Sequence, residues 1–333
     1  MVTAIINRKG IEDPVNRQWQ LYQHHGRSGL LWFRLFTLNF VTIGDFETLK
    51  QIFSHPDCQD RLFPNYLEYW EEQKNFKSKD GYGIGFSEGT TWTHLRRFTI
   101  KTLKDFGFAK SSMNELIGEE VKHFVTYLKT TGEEPQNIGL KFNLPVINSL
   151  WITMVGQRFA YDDPSLNQII AGLSRLMDIV GSPGELIGII FPWLVKIGPI
   201  RQALGRNESV QCTRDISNLM RGYVDEHEAT LDPNTPRDYI DMFLLEILRT
   251  TDTTSSFYGS VGREQLVATL VDLFIAGGDT TSTTLRWAVV YMLRYPEVQE
   301  QVQEELDRVV GRDRAPVMED MPHLPYTEVR RML

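Results

Sequence analysis

Two short segments of this sequence carry residue types that can take part in chemistry. Residues 276–281, AGGDTT, place two glycines, a carboxylate and two hydroxyls in a row. Trp92 and Arg96 are four residues apart, so they share one face of a helix. An indole N–H and a guanidinium on one face can bind a carboxylate or a phosphate, the arginine through charge-assisted hydrogen bonds. The alternative is an amphipathic helix in which a surface arginine stacks on the tryptophan.

The residues around AGGDTT predict one long, buried helix. Apolar residues recur at helical spacing through residues 263–295 on more than one side, a pattern typical of a buried helix. A straight helix of that length would span roughly 50 Å at 1.5 Å per residue. Pro296 cannot continue the hydrogen-bond ladder, so we expect the helix to end there.

The middle of this helix breaks the usual composition. Each glycine costs about 1 kcal/mol relative to alanine inside a helix, and threonine hydroxyls can bond back to the preceding turn and bend it. A polar kink in a buried helix indicates that another group packs against the missing side chains. Two alternatives stay open. One is a loop between two helices, with Asp279 or Thr280 as an N-cap. The other is a strand over 267–276 followed by a phosphate loop, although the glycine-rich phosphate motifs are absent.

Composition and charge argue against several other classes of protein. The 333 residues are enough for one large domain or two smaller ones, and 41% hydrophobic with 23% charged residues is an ordinary globular balance. The net charge of −8 argues against nucleic-acid binding. Two cysteines form no disulfide framework, and the seven histidines form no metal-binding pattern, so we predict no metal ligands in this chain.

The rest of the chain predicts a mainly α fold with a small β-sheet near its start. Residues 60–85 are irregular and rich in aromatic residues, which indicates a wall of a binding pocket. The predicted elements before it are short helices at 14–25 and 46–53, a pair of short strands within 32–43, and an N-cap at Asp45. Amphipathic helices follow. We predict one domain over 1–333, with short helices and the sheet in 1–60 and the helical part in 61–333.

Residues 186–200, LIGIIFPWLVKIGPI, are the most apolar stretch, but they are short and broken by two prolines. A buried loop or a partner-binding patch is one interpretation, and contact with a membrane surface is the sharper one. No signal peptide opens the sequence, and no segment reaches the roughly 18 apolar residues of a spanning helix.

These residues resemble one known family, the cytochrome P-450 haem-thiolate monooxygenases. AGGDTT resembles the family's kinked oxygen-binding helix, whose pattern is [AG]-G-x-[DE]-T-[TS]. Trp92 and Arg96 resemble its W-x-x-x-R helix. Further phrases, VTIGDFETLKQIF, YPEVQEQVQEELDRVVG and LPYTE, resemble other segments in the same order. The likeness covers nearly the whole chain and is greatest to the animal microsomal group. It implies an incomplete cytochrome P-450 fold.

The resemblance implies a haem cofactor. Trp92 and Arg96 would then bind a haem propionate. Gly277 and Gly278 would leave room beside the haem for oxygen and substrate, with Ala276 next to them.

The resemblance also implies catalytic and substrate-binding residues. Asp279 and Thr280 would deliver protons during oxygen activation, a task to which a carboxylate and a hydroxyl are suited. Phe274, Ala276 and Phe86 would contact a small lipophilic substrate in a mostly hydrophobic pocket.

By the same resemblance, the electron donor would be an NADPH-dependent reductase. The location would be the endoplasmic reticulum membrane, with residues 184–200 as a possible membrane contact. The sequence shows none of the family's N-terminal membrane anchor.

One part of the family pattern is missing. The iron ligand of the family is a cysteine in F-x-x-G-x-R-x-C-x-G, and neither Cys58 nor Cys212 has that motif around it. Because the thiolate promotes O–O cleavage, we expect the chain as written to be an inactive fragment of a monooxygenase, truncated at both ends. Residues 328–331 match E-x-x-R literally but follow Tyr326 too closely, and no role is assigned to them. The alternative is a non-catalytic, truncated helical protein that binds a lipid or a protein partner.

Overall fold

The long central helix packs against several of the other helices in the computed structural model. The structure describes residues 14–26, 29–36, 38–58, 80–108, 111–132, 135, 137–138, 141–160, 163–180 and 182–332. Most of the predicted pocket wall at 60–85 lies outside these residues.

The N-terminal part contains short helices and a hairpin. Its elements are α1 (Pro14–His25), β1 (Leu30–Leu35), β2 (Leu38–Ile43) and α2 (Phe46–Ser54). The two strands are antiparallel and in register from Leu30↔Ile43 to Leu35↔Leu38, so the pair of strands predicted from the aromatic and β-branched residues of 32–43 is present. Asp45 caps α2 by accepting a hydrogen bond from the Thr48 amide at 2.8 Å, so this predicted N-cap is confirmed.

A second, shorter hairpin pairs β3 (Gly81–Tyr82) with β4 (Phe86–Ser87). The helices that follow are α3 (Gly89–Asp105), α4 (Ser111–Thr130), α5 (Asn143–Val155), α6 (Pro164–Val180), α7 (Pro183–Ile190), α8 (Gly198–Ala203), α9 (Arg206–Thr230) and α10 (Tyr239–Arg249). The chain continues through α11 (Gly259–Arg294), α12 (Pro296–Val309) and α13 (Pro325–Met332), with 3-10 turns at Pro56–Cys58, Leu194–Lys196 and Met318–His323.

The central helix, α11, is continuous over 36 residues. The loop and strand alternatives for its middle are therefore wrong. The helix begins four residues before the predicted start at residue 263 and ends immediately before Tyr295. Helical backbone tolerates the two glycines because neighbouring helices pack against them, and this packing offsets their low propensity.

The two halves of α11 differ in burial. In the first half, Leu266, Val267, Leu270 and Val271 are fully buried against α9 and α10. In the second half, large apolar residues are open to solvent: Leu285, Trp287, Val290, Tyr291 and Leu293 are between 39% and 71% exposed. The prediction that the whole helix is buried holds only for the first half. In the part of the chain that the structure describes, no helix is long and apolar enough to cross a membrane.

Candidate functional site

The AGGDTT segment presents one open face, formed by Ala276 and Thr280. Both residues are exposed, and they lie one helical turn apart. The Thr280 hydroxyl donates a hydrogen bond to the Ala276 carbonyl at 2.9 Å. Thr284, one turn further, donates in the same way to the Thr280 carbonyl at 3.0 Å. The open face is therefore a row of small residues whose hydroxyls bond back to the preceding turn.

Asp279 leaves the helix on a different side from Thr280. Successive helical side chains are rotated by about 100°, which follows from 3.6 residues per turn. The Asp279 carboxylate lies in a groove of about 450 Å³ between α6 and α11, together with Asp178, Trp287 and Arg286. Its Oδ1 atom is 3.7 Å from Nη2 of Arg286, an ion pair of partly buried groups. The structure thus places the Asp279 carboxylate and the Thr280 hydroxyl on different sides of α11.

The two glycines are the places where neighbouring helices approach α11. A Cβ atom at Gly278 would lie 3.2 Å from side-chain atoms of Ile147 and Leu173, and one at Gly277 would lie 2.8 Å from Leu150. Gly278 is buried and two positions along the helix from Ala276, so it faces α5 and α6 and not the open face. This corrects the expectation that Gly278 leaves room for a ligand: its missing side chain leaves room for Ile147.

Trp92 and Arg96 lie on one face of α3, as their spacing predicts. The Arg96 guanidinium carbon is 5.3 Å from the Trp92 ring centroid, a cation–π contact. Trp92 is half-buried and Arg96 is exposed. A groove of about 520 Å³ on this helix is lined by these two residues and by Thr93, Arg97, Ile100, Lys101 and Lys104. Stacking orients the guanidinium while leaving its N–H groups able to bind an anion.

Phe274 lies in the core and not in a pocket wall. It is 1% exposed, and its ring meets the Trp151 ring edge-to-face with centroids 5.5 Å apart. The expectation that it contacts a substrate is corrected, because its side of the helix is covered by α5. Phe86 is half-buried in β4, opposite Tyr82.

The second hairpin is attached to α11 by two buried polar side chains that the sequence analysis did not identify. Asp272 Oδ2 accepts hydrogen bonds from the Ile84 amide at 2.8 Å and the Gly85 amide at 2.9 Å. Gln265 Oε1 accepts from the Gly83 amide at 2.8 Å. Asp272 is 7% exposed and Gln265 fully buried. Their seven-residue spacing on an apolar stripe was the available signal, since it places both on one helix face.

Gly83 is required by this attachment. Its φ is +63°, and a Cβ atom there would lie 2.0 Å from Asp272 Oδ2. The left-handed conformation and the close approach both favour glycine. The hairpin that carries Phe86 is thereby held one turn before Ala276.

A separate buried cluster joins α9 to α10. His227 Nδ1 lies 2.7 Å from the Tyr223 carbonyl, which can only accept, so this nitrogen carries a proton. His227 Nε2 lies 2.8 Å from Asp238 Oδ2. Burial alone would lower the pKa of His227, but the hydrogen bond and charge of Asp238 raise it above its usual value. Asp241 completes a group that could hold a metal ion, yet Arg237 already donates to its carboxylate.

Comparisons with known proteins identify the family of this chain. The family model for cytochrome P450 matches residues 5–329. The chain is 34% identical over 299 residues to cytochrome P450 2J5 of Mus musculus, covering 88% of this chain and 56% of that protein. It is 37% identical over 250 residues to cytochrome P450 2K6 of Danio rerio, covering 74% of this chain and 48% of that protein. The chain spans about half the length of the curated relatives that it matches. The mainly helical fold, the AGGDTT helix and the family match together show that this chain belongs to the cytochrome P450 family.

Proposed function

We propose that the protein containing this chain is a haem-dependent monooxygenase. It would insert one oxygen atom into a small lipophilic substrate, with electrons from an NADPH-dependent reductase. The observation that carries this proposal is the open face of Ala276 and Thr280, because a small residue and a hydroxyl are exposed where the buried first half of α11 ends. The family to which the chain belongs supports it.

The residues present fit one side of a haem. Arg96, oriented by Trp92, offers N–H donors to a propionate. Ala276 would leave room for the haem at the open face, whereas the missing side chain of Gly277 leaves room for Leu150 of α5. When bound, haem supplies the iron at which oxygen is activated. Thr280 would hold and pass a proton at its Oγ atom, which already bonds within the helix.

The cysteines of this chain do not fit the role of iron ligand. Burial raises the pKa of the Cys212 thiol to about 11, so it stays protonated at neutral pH, whereas iron binds the thiolate. Cys58 is exposed in the 3-10 turn that follows α2, far in sequence from AGGDTT. We therefore propose that these 333 residues alone are catalytically inactive, and that a cysteine of a longer product completes the site.

Asp279 would supply protons to Thr280 indirectly. Its carboxylate lies in the groove with Arg286, on the neighbouring side of α11. Transfer between the two residues would need a water molecule, since the carboxylate and the hydroxyl leave the helix in different directions. The groove is open to solvent at Asp279, which would give the carboxylate a source of protons.

The substrate would lie between Ala276 and the hairpin of Phe86. Asp272 holds this hairpin against α11 one turn before Ala276. Phe274 would not contact the substrate; it would help to position α11 by packing against Trp151 of α5. The small open face and the aromatic hairpin favour an apolar substrate.

A membrane contact through residues 184–200 has structural support. Trp193 is 60% exposed, Ile197 42% and Ile187 40%. Phe36, itself 61% exposed, meets Phe191 edge-to-face with ring centroids 4.9 Å apart, which extends the apolar patch to the first hairpin. Exposed apolar residues of this size mark interaction surfaces. We propose that they contact the endoplasmic reticulum membrane.

The reductase would meet the basic groove of α3. Arg97, Lys101 and Lys104 are exposed beside Arg96, and the chain as a whole is acidic. A local basic patch attracts an acidic partner at long range and speeds association.

The test is haem binding and coupling in the longest natural product that contains this chain. Thr280→Ala should leave haem content unchanged and raise the fraction of consumed oxygen that yields no product. Thr284→Ala is the matched control, since it makes the same back-bond one turn away. Failure to bind haem, or equal coupling in Thr280→Ala and the natural protein, would contradict the proposal.

A second candidate is a non-catalytic helical protein that binds a lipid or a protein partner. The observation in its favour is the exposed apolar surface of the second half of α11, where Trp287 is 57%, Tyr291 59% and Leu293 71% exposed. A purified natural product that binds lipid vesicles or a partner but no haem would support this candidate.

A further inference from the structure

The peptide carbonyl of Gly278, immediately before Asp279, is bonded by two side chains. Asn143 Nδ2 donates to it at 2.9 Å from the first turn of α5. Ser282 Oγ donates to it at 2.6 Å from one turn further along α11. A carbonyl can only accept, so the orientation of the Asn143 amide is determined by this contact. Asn143 is 1% exposed, and both bonds are buried.

The contact depends on the crossing of α5 and α11. Asn143 and Ile147 are four residues apart and share one face of α5. Ile147 packs where a side chain at Gly278 would be. The missing side chain therefore lets α5 come close enough for its asparagine to reach the backbone of α11.

A second observation distinguishes Asn143 from an ordinary core residue. Its Oδ1 atom is buried and has no hydrogen-bond partner among the described residues. A buried acceptor without a partner is costly. An apolar residue of similar size would avoid that cost, but it would also lack the hydrogen bond that the Asn143 amide donates to the Gly278 carbonyl.

The bond acts on the peptide that orients Asp279 and Thr280. In a regular helix, a carbonyl accepts from the amide four residues on, and further donors tilt the peptide and bend the helix. Ser282 is part of α11 itself, and its Oγ atom also lies 3.4 Å from the carbonyl of Phe142, the residue before α5. Asn143 belongs to another helix, so it holds the peptide plane relative to α5.

We propose that Asn143 is a positioning residue for Asp279 and Thr280, through its hydrogen bond to the Gly278 carbonyl. That these two residues act in oxygen chemistry rests on the proposed function. The hydrogen bond and its effect on α11 do not depend on that chemistry. An experiment can therefore refute the effect of the bond or the proposed function separately.

The test compares Asn143→Leu with Asn148→Leu in the natural product. Asn148 is the matched control because it lies on the same helix, is fully buried, and bonds the backbone of Phe159 instead of α11. Amide hydrogen exchange of residues 278–284 is the first measurement, since exchange reports local opening. Asn143→Leu should speed exchange there about fivefold, as expected for the loss of one net hydrogen bond. Asn148→Leu should speed exchange around Phe159 and leave 278–284 unchanged.

Coupling is the second measurement. Asn143→Leu should raise the fraction of oxygen consumed without product while the Michaelis constant stays the same, and Asn148→Leu should not. Unchanged exchange at 278–284, or equal changes in both variants, would overturn the positioning role. Faster exchange only in Asn143→Leu, in a protein that binds no haem, would support the effect of the Asn143 hydrogen bond on α11 and refute the proposed function.

Discussion

Asp272→Ala tests whether α11 holds the second hairpin. The change removes the acceptor of the Ile84 and Gly85 amides. A hydrogen bond to a charged group contributes about 1.5–3 kcal/mol, so two bonds amount to about 3–6 kcal/mol before offsets. The half-buried amides can reach water in the variant, and a carboxylate no longer has to be buried, so we expect a net loss of about 3 kcal/mol in unfolding free energy.

The assay is urea unfolding followed by tryptophan fluorescence, with amide exchange of residues 83–85 as a local measurement. Asp272→Ala should lower the unfolding midpoint without changing the slope. Asp307→Ala is the control, because its ion pair with Arg312 is on the surface and such pairs contribute little. Equal unfolding midpoints for Asp272→Ala and the natural protein would refute the conclusion that Asp272 holds the second hairpin on α11.

A double-mutant cycle with Gly83→Ala separates the bond from the close approach. Alone, Gly83→Ala should destabilise the protein, because its Cβ would lie 2.0 Å from Asp272 Oδ2 and its φ is +63°. In the double variant with Asp272→Ala, that clash is absent. The double variant should therefore lose less unfolding free energy than the sum of the losses in the two single variants. Full additivity would show that the two residues do not meet.

Three further predictions concern other parts of the molecule. The pKa of His227 is raised in the folded protein, so its protonated form stabilises the fold. This contribution is fully present below the pKa of the unfolded state, about 6.5, and is lost as pH rises through the pKa of the folded state. Urea unfolding measured at several pH values should show this loss of stability, and His227→Gln should abolish the pH dependence. Arg96→Ala should lower haem retention in a purified natural product, measured by absorbance per protein, whereas Arg97→Ala should not, and equal retention would contradict propionate binding. Trp193→Ser should weaken co-sedimentation with anionic vesicles, whereas Trp287→Ser, with similar exposure in the natural residue, should not; equal weakening would contradict the membrane patch.

Local pattern was sufficient for the features that depend on local geometry. The period of 3.6 placed Trp92 and Arg96 on one face of α3, and the aromatic and β-branched residues within 32–43 predicted the strands of the first hairpin. The Asp45 cap was predictable because the side chain bonds an amide only three residues away. The composition of AGGDTT left a helix, a loop and a strand open, and only the family resemblance made it a candidate site.

Tertiary structure alone determined which way the site residues point. When a helix is apolar on more than one side, its sequence does not specify which side packs against which neighbour. Phe274 is an example, since it was expected in a pocket and lies in the core. Gly278 faces Ile147, and Asp279 enters a groove away from Thr280, because α5 and α6 cover those sides. The Asp272 bonds join residues 187 and 188 positions apart, and no local pattern specifies such a pairing. The sequence by itself determined the helices and the chemical groups they carry, whereas long-range packing determined the side of α11 that stays open, since burial of apolar surface depends on all the helices together.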